Sequence, residues 1–291
     1  MRRPRVALAL GGGGTRGAAH VGVLKVLQQE RIPIDYIVGT SMGSIVGGLY
    51  AAGLPISTLE EKFRDGSLMR AFMTVPLWVR LVAEPVLIVP RLVGFHPYDG
   101  LYWGNKFRKY IERSLPADRQ QIESLNIPFS AVVFNVLDCK PYRLTSGSVG
   151  YALQASSAVP GLRKPVEIGD GLYIDGGVAA NVPVLPARET GAEVIIAVNV
   201  DERVQRLPKE HFRKAGSVSA RMITYDLAFI DALQIKHADI LIHPNVDGIN
   251  LVSTRKSDAI RAMEAGEKAA REAIPEIKTK LSSIGLAELG N

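Results

Sequence analysis

The sequence predicts an α/β fold on a mainly parallel sheet. Three observations carry that expectation. Two short buried-strand runs, Arg5 to Leu10 and Ile34 to Val38, each enter a glycine-rich turn and then a helical segment. Strand-like and helix-like stretches go on alternating after them. A chain of 291 residues, 47% of them apolar, can bury one large core. No repeat or low-complexity linker divides it, so one α/β domain with elaborations is expected.

The elements read in order as follows. After the first strand come Gly11-Gly12-Gly13-Gly14-Thr15-Arg16-Gly17 and a helix from Ala18 to Gln29 with helical spacing of Ala, Val and Leu. The second strand enters Gly39-Thr40-Ser41, and an apolar helix from Ser44 to Ala52 is closed by Gly53-Leu54-Pro55. Ser57 to Met69 and Tyr98 to Leu115 read as helices. Between them, about 68–97, the chain is Pro-rich, apolar and basic with no clean period, which predicts a cap. Pro128 to Leu137 and Tyr142 to Thr145 alternate as strands, Val149 to Ser157 is a short helix, and Leu172 to Ile174 is a strand ending in Asp175-Gly176-Gly177. Glu193 to Val200 and Ile240 to His243 complete the strands; Val218 to His237 and Ser257 to Ile274 are helical.

A net charge of +6 is compatible with attraction to an anionic membrane surface or to nucleic acid and specifies neither. Cys139 is the only cysteine, so no intrachain disulfide can form, and no Cys/His spacing suggests zinc; a reducing, cytoplasmic setting fits. Met1-Arg2-Arg3-Pro4-Arg5 imitates the start of a secretion signal, but the apolar run after it is short and breaks into glycines. Ala71 to Val93 is long enough on paper to cross a bilayer, yet it holds Arg80, Glu84, Arg91, Pro76, Pro85 and Pro90, which argues against a spanning helix.

Gly39-Thr40-Ser41-Met42-Gly43 matches G-x-S-x-G with a strand before it and a helix after it, the setting that holds a nucleophilic serine on a sharp turn. The first glycine loop, read from Gly12, also satisfies G-x-G-x-x-G, the dinucleotide-binding pattern. That pattern wants an acid at the carboxyl end of the second strand, whereas Asp35 opens this one. Ala18 stands where a P-loop needs lysine after Gly17. An acyl-transfer enzyme has another use for the loop, because a tetrahedral oxyanion needs convergent backbone N–H groups. Gly13 and Gly14 are the candidate donors, with Gly12 and Gly17 in the same loop and the Met42 N–H beside them. Arg16 is expected either to fix the loop or to meet an anionic substrate head.

Serine needs a base. Asp175, projected from a strand end before two glycines, suits a carboxylate in a crevice, and desolvation raising its pKa would improve it as a proton acceptor. His243 has the chain order of an ordinary Ser-Asp-His hydrolase, and His20, His96, His211 and His237 are the other histidines.

Together these motifs resemble the patatin-like phospholipase family. Leu10 to Gly22 is similar to its oxyanion loop and first helix, and Gly39 to Gly43 to its nucleophile elbow. Ala155-Ser156-Ser157-Ala158-Val159-Pro160-Gly161 and Tyr173-Ile174-Asp175-Gly176-Gly177-Val178, with Asn181 and Pro183, are similar to its second half. Short bacterial members that resemble the neuropathy-target-esterase branch are the most similar in motif. The resemblance implies a three-layer α/β/α fold and a Ser41–Asp175 dyad without histidine. It implies hydrolysis of acyl esters in phospholipids, lysophospholipids or neutral lipids, with no metal or organic cofactor, so a chelator should leave activity intact. Residues 1–205 are expected to form the catalytic domain, with 206–291 a helical extension packed on it. The cap, with Phe72 and Trp78 beside Arg70, Arg80 and Arg91, is expected to line an acyl channel and rest on an anionic membrane at the cytoplasmic face; no nucleic-acid partner is expected. A non-catalytic lipid-binding protein, a Ser-Asp-His esterase and a dinucleotide-dependent oxidoreductase remain the alternatives.

Overall fold

In a computed structural model, residues 3, 5–73, 98, 100, 103–214 and 216–284 are described. In chain order they form β1 (Val6–Leu10), α1 (Ala18–Gln29), β2 (Tyr36–Thr40), α2 (Met42–Ala51), α3 (Ile56–Arg64), α4 (Ser67–Phe72) and α5 (Asn105–Ser114). These are followed by β3 (Phe129–Asn135), β4 (Lys140–Leu144), α6 (Val149–Ser156), β5 (Val166–Ile168), β6 (Gly171–Asp175), α7 (Gly177–Ala180) and α8 (Val184–Arg188). The chain continues through β7 (Val194–Val198), α9 (Ser217–Ile235), β8 (Ile240–Ile242) and α10 (Lys256–Ser283).

The eight strands make one sheet in the order β5-β6-β3-β2-β1-β7-β8, with β4 also on β3. From β3 through β2, β1 and β7 to β8 every pairing is parallel. The expected mainly parallel sheet therefore holds for the half that carries the glycine loop and the elbow. The other half, β4, β5 and β6, is antiparallel.

Strand β1 is buried along its whole length because both faces of the sheet are covered. Val6, Leu8 and Leu10 face a core shared with α1, α2 and α10, whereas Ala7 and Ala9 face a second core with α7, α8 and Ile235 of α9. The result is three layers, α/β/α.

Three boundaries differ from the sequence reading for identifiable reasons. The helix expected over Ser57 to Met69 is two, because Gly66 takes φ 70° and breaks it. Leu68, Met69 and Phe72, expected in the cap, are buried in the main core; Trp78, Arg80, Arg91, His96 and the rest of the cap lie outside the described residues. The last helix does not stop before Pro275 but runs through it to Ser283. Ile274, Ile277 and Leu281 are buried on either side of the proline, and that apolar face outweighs the lost backbone bond.

Helices α1 and α10 touch backbone to backbone. A Cβ on Gly22 would fall 2.0 Å from the Met263 carbonyl oxygen, and one on Gly266 2.0 Å from that of Ala19. Gly266→Ala is therefore expected to destabilise the protein by about 2–3 kcal/mol, as overpacking does. A urea midpoint equal to wild type would contradict the contact. No helix among the described residues is long and apolar enough to cross a membrane.

Candidate active site

Ser41 links β2 to α2 with φ 51° and ψ −121°, a strained conformation for a residue with a side chain. Small neighbours make the turn possible. A Cβ on Gly39 would lie 2.5 Å from the Ser44 nitrogen, and one on Gly43 2.2 Å from the Leu10 carbonyl oxygen. The Ser41 N–H donates to Ser156 Oγ at 3.0 Å, and that hydroxyl donates to the Val132 carbonyl at 2.7 Å. Ser44 Oγ donates to the Ser41 carbonyl at 2.6 Å. The serine is thus gripped on both sides of its own peptide unit.

Asp175 reaches Ser41 because of how two strands end. Along β3, residues 129–132 pair with parallel β2 and residues 133–135 with antiparallel β6, while β4 occupies the opposite edge. Strands β2 and β6 therefore share one edge of β3 and run toward each other. Thr40 ends opposite Val132, and Asp175 ends opposite Val133. The next residue after Thr40 is the nucleophile candidate, which brings its hydroxyl near enough to the Asp175 carboxylate to favour the ionised acid.

The carboxylate accepts the Gly177 N–H at 2.8 Å. Burial pushes the Asp175 pKa up to about 6. The nearby Ser41 hydroxyl, the Gly177 N–H and the charge of Arg163 pull the other way and only partly offset it. Arg163 is itself buried; it donates to the Phe72 carbonyl at 2.9 Å and to Ser157 Oγ at 3.4 Å, and its guanidinium lies over the Phe72 and Phe107 rings at 4.1 and 4.4 Å. Sequence reasoning missed this arginine, because nothing local ties position 163 to rings 91 and 56 residues away.

The glycine loop lies against the serine: a Cβ on Gly12 would fall 3.2 Å from the Ser41 Cβ and 2.4 Å from Asn181 Oδ1. Its backbone donors divide into two sets. The N–H groups of Gly11, Gly12, Thr15 and Arg16 donate to Val198, Asn181, Leu251 and Gly13 carbonyls. Those of Gly13 and Gly14 have no protein acceptor among the described residues. The Gly12 N–H is thus already paired, and the residue packs closely against Ser41 and Asn181. Gly17 packs as closely, since a Cβ there would strike Met42 Cγ at 2.3 Å. Arg16 Nε donates to the Ile249 carbonyl at 2.7 Å and its guanidinium pairs with Glu202 at 2.8 Å, contacts that tie the loop to residues late in the chain. Gly176 is demanded by the sheet, because a Cβ there would lie 2.5 Å from the Val132 carbonyl oxygen.

Behind the loop sits a pair of buried carboxyls that the sequence did not disclose. Asn181 Nδ2 donates to Asp201 at 2.7 Å and to Asp231 at 3.1 Å, and the Val182 N–H donates to Asp231 at 2.8 Å. Burial, and then the neighbouring Asp231, raise Asp201 to about 8, so the two acids share a proton at neutral pH. Free aspartate gives up its proton near pH 3.9. Between about 4 and about 8 the folded protein holds the extra proton, so this pair makes stability fall as pH rises, by at most about 1.4 kcal/mol per unit. Asp201→Asn keeps a donor toward Asp231 and is expected to flatten that decline; urea midpoints that keep the wild-type slope would refute it.

The described histidines are elsewhere. His20 is buried, with Nε2–H donating to the Gly11 carbonyl at 2.8 Å, and burial lowers its pKa to about 4. His243 Nε2 bonds the Asp201 carbonyl at 3.0 Å, and His211 and His237 are exposed. Among the described residues no histidine bonds Ser41 or Asp175. Asp35, which a dinucleotide site would need at the other end of its strand, accepts the Val6 N–H at 2.8 Å and pairs with Arg3.

A sheet that delivers a serine on a strained strand-to-helix elbow, with a buried carboxylate beside it and unpaired glycine N–H groups alongside, has the architecture of a carboxylic ester hydrolase. The family model for Patatin-like phospholipase matches residues 8–188. The chain belongs to the patatin-like phospholipase family. Over 200 residues it is 33% identical to Patatin-like phospholipase domain-containing protein 6 of Mus musculus, covering 67% of this chain and 13% of that protein. It is 32% identical over 211 residues to Lysophospholipase NTE1 of Saccharomyces cerevisiae, covering 71% and 11%. The chain thus spans a small fraction of the length of these relatives. Among solved structures, VipD from Legionella pneumophila superposes with a TM-score of 0.52 at 14% identity, over 94% of this chain and 67% of that one. Human GIVD cytosolic phospholipase A2 gives 0.50 at 12% identity, over 97% and 59%. These two likenesses show the shared fold.

Proposed function

We propose that the protein hydrolyses fatty acyl esters of phospholipids, lysophospholipids or related lipids through a Ser41–Asp175 dyad. The observation that carries this reading is the placing of Ser41, on its strained elbow, beside the buried Asp175 carboxylate where the ends of β2 and β6 meet along β3. Ser41 Oγ attacks the acyl carbonyl as its proton passes to Asp175. The ester C–O bond breaks, and the alcohol leaves with that proton. Water then attacks the acyl-enzyme, giving a proton to Asp175 that returns to Ser41 as the fatty acid departs. The N–H groups of Gly13 and Gly14, with that of Met42 at the start of α2, would receive the oxyanion; each such donor is worth about 3 kcal/mol of transition-state stabilisation.

With a pKa of about 6, Asp175 is a stronger proton acceptor than a free aspartate and is still roughly nine-tenths ionised at pH 7. A cytoplasmic protein in peripheral contact with an anionic membrane fits this chemistry. So does a division into a catalytic region, residues 1–205, and a C-terminal extension, residues 206–291. The test is fatty-acid release from phosphatidylcholine and lysophosphatidylcholine vesicles alongside a short-chain chromogenic ester. Release from a lipid is the expected result, and a folded protein inert toward all three would reject the reading.

A further inference from the structure

Helix α9 is turned inside out. Among its described residues, the three that are buried are polar, Ser217, Asp231 and Gln234, while Val218, Met222, Ile223, Tyr225, Phe229 and Leu233 are exposed. Met222, Tyr225 and Phe229 are each more than half exposed, at 52%, 55% and 57%. With Val218 they recur at intervals of four, three and four residues, which places them in one stripe along the helix. An apolar stripe of this size in water marks an interaction surface.

Its position points to the open end of the sheet. Asp231 is tied to Asn181, Val182 and Asp201, just past the carboxyl ends of the parallel strands, and the helix ends near the start of β8, where the Asp239 N–H bonds the Ile195 carbonyl. Residues 217–230 therefore continue beyond the sheet on the side where Ser41 sits, over about 20 Å at 1.5 Å per residue. At the same rim Leu251 and Val252 are half exposed, and the Leu251 carbonyl accepts the Thr15 N–H of the glycine loop at 2.8 Å.

The charge beside the stripe is mainly positive, although exposed Asp226 lies within it. Between Glu202 and Arg221 the chain carries six basic residues and two acidic ones. Lys209, Arg213 and Lys214 are exposed in and just after the 3-10 turn Lys209–Arg213, which packs on α9, and Arg221 bonds the Gln205 carbonyl. An apolar stripe flanked by cations suits an anionic lipid surface, into which the apolar side chains sink while the cations meet the head groups. A second copy of the chain would bring the same positive charge to the contact.

We propose that the first half of α9, with the Lys209–Arg213 turn and Leu251–Val252, is the surface on which the protein seats on an anionic bilayer, with the Ser41 end of the sheet facing the lipid. The use made of this seat rests on the lipid-ester reading, but the binding itself needs no turnover. The full chain carrying Ser41→Ala, mixed with vesicles of phosphatidylcholine alone or with phosphatidylglycerol, is expected to float with the anionic vesicles. Adding Met222→Glu with Tyr225→Glu, or Arg213→Glu with Lys214→Glu, should weaken that binding about tenfold or more. In the background that retains Ser41, the same changes should leave short-chain ester hydrolysis unaltered. Vesicle binding by either double variant equal to that of the Ser41→Ala parent would overturn the proposal. So would a wild type that is dimeric in solution and becomes monomeric with Met222→Glu and Tyr225→Glu. Loss of all ester hydrolysis with vesicle binding intact would strike the hydrolase reading alone.

Discussion

Ser41→Ala is expected to lower kcat/KM by about 10^4-fold or more on any ester the protein cleaves, since the acyl group then has no oxygen to bind. The folded structure should be unharmed, because the hydroxyl leaves a small gap at the rim of the site and the elbow is held by backbone contacts of Gly39 and Gly43. A sharper signature comes from the backbone. Ser41 holds φ 51°, a region that costs about 1 kcal/mol or more for a residue with a Cβ and nothing for glycine. Ser41→Gly is therefore expected to be as inactive as the alanine variant and more stable than wild type by about 1 kcal/mol. Paired kinetics and urea denaturation read both effects. Activity surviving either change would displace Ser41 as nucleophile.

Asp175→Asn should cost a comparable factor, about 10^4, because an amide cannot take the proton. The pH profile separates a base from a merely structural carboxylate. Burial raises the Asp175 pKa to about 6, and the active form is the ionised one, so kcat/KM should climb with pH, reach half its plateau near 6, and fall about tenfold per unit below that. The stability effect has the opposite sign. A raised carboxyl pKa means the folded state keeps a proton that the unfolded chain has lost between about 4 and 6, so ionising Asp175 costs stability as pH rises through that window. The asparagine variant should accordingly be no less stable than wild type above pH 7, while being nearly inactive. A rising limb centred near 4, or a variant that unfolds, would argue for a structural aspartate.

The elbow and its partner were legible because each is a local pattern. Gly39 to Gly43 has a buried strand before it and an apolar helix after it, and Asp175 closes a strand ahead of two glycines. The sheet end that brings them together was not legible. Strand β5 is three residues long and joins β6 through Gly169 and Asp170, too short for any alternation to register. Without the antiparallel arm the meeting of β2 and β6 along β3 cannot be drawn. The supports were hidden for a different reason. Arg163, Asp201 and Asp231 act across tens of residues, where no spacing rule applies; Ser156 and Asn181 stand in recognisable motifs, but their partners Ser41 and Asp231 lie 115 and 50 residues away. Helix α9 was readable as a helix by its period, but period alone says nothing about which face turns inward, and default burial of apolar side chains gives the wrong face here.

The glycine loop near the N-terminus is held by residues that arrive almost at the other end of the chain. The Thr15 N–H is capped by Leu251, Thr15 Oγ1 donates to the Ser253 carbonyl at 3.1 Å, its oxygen accepts the Ser253 N–H at 2.8 Å, and Arg16 is pinned to Ile249. During synthesis the elbow and its aspartate leave the ribosome long before these partners do. At about 5–20 residues per second, residue 253 follows residue 175 by roughly 4–16 seconds. The glycine loop can therefore be pinned only in the last stretch of synthesis, after residues 249–253 have been added.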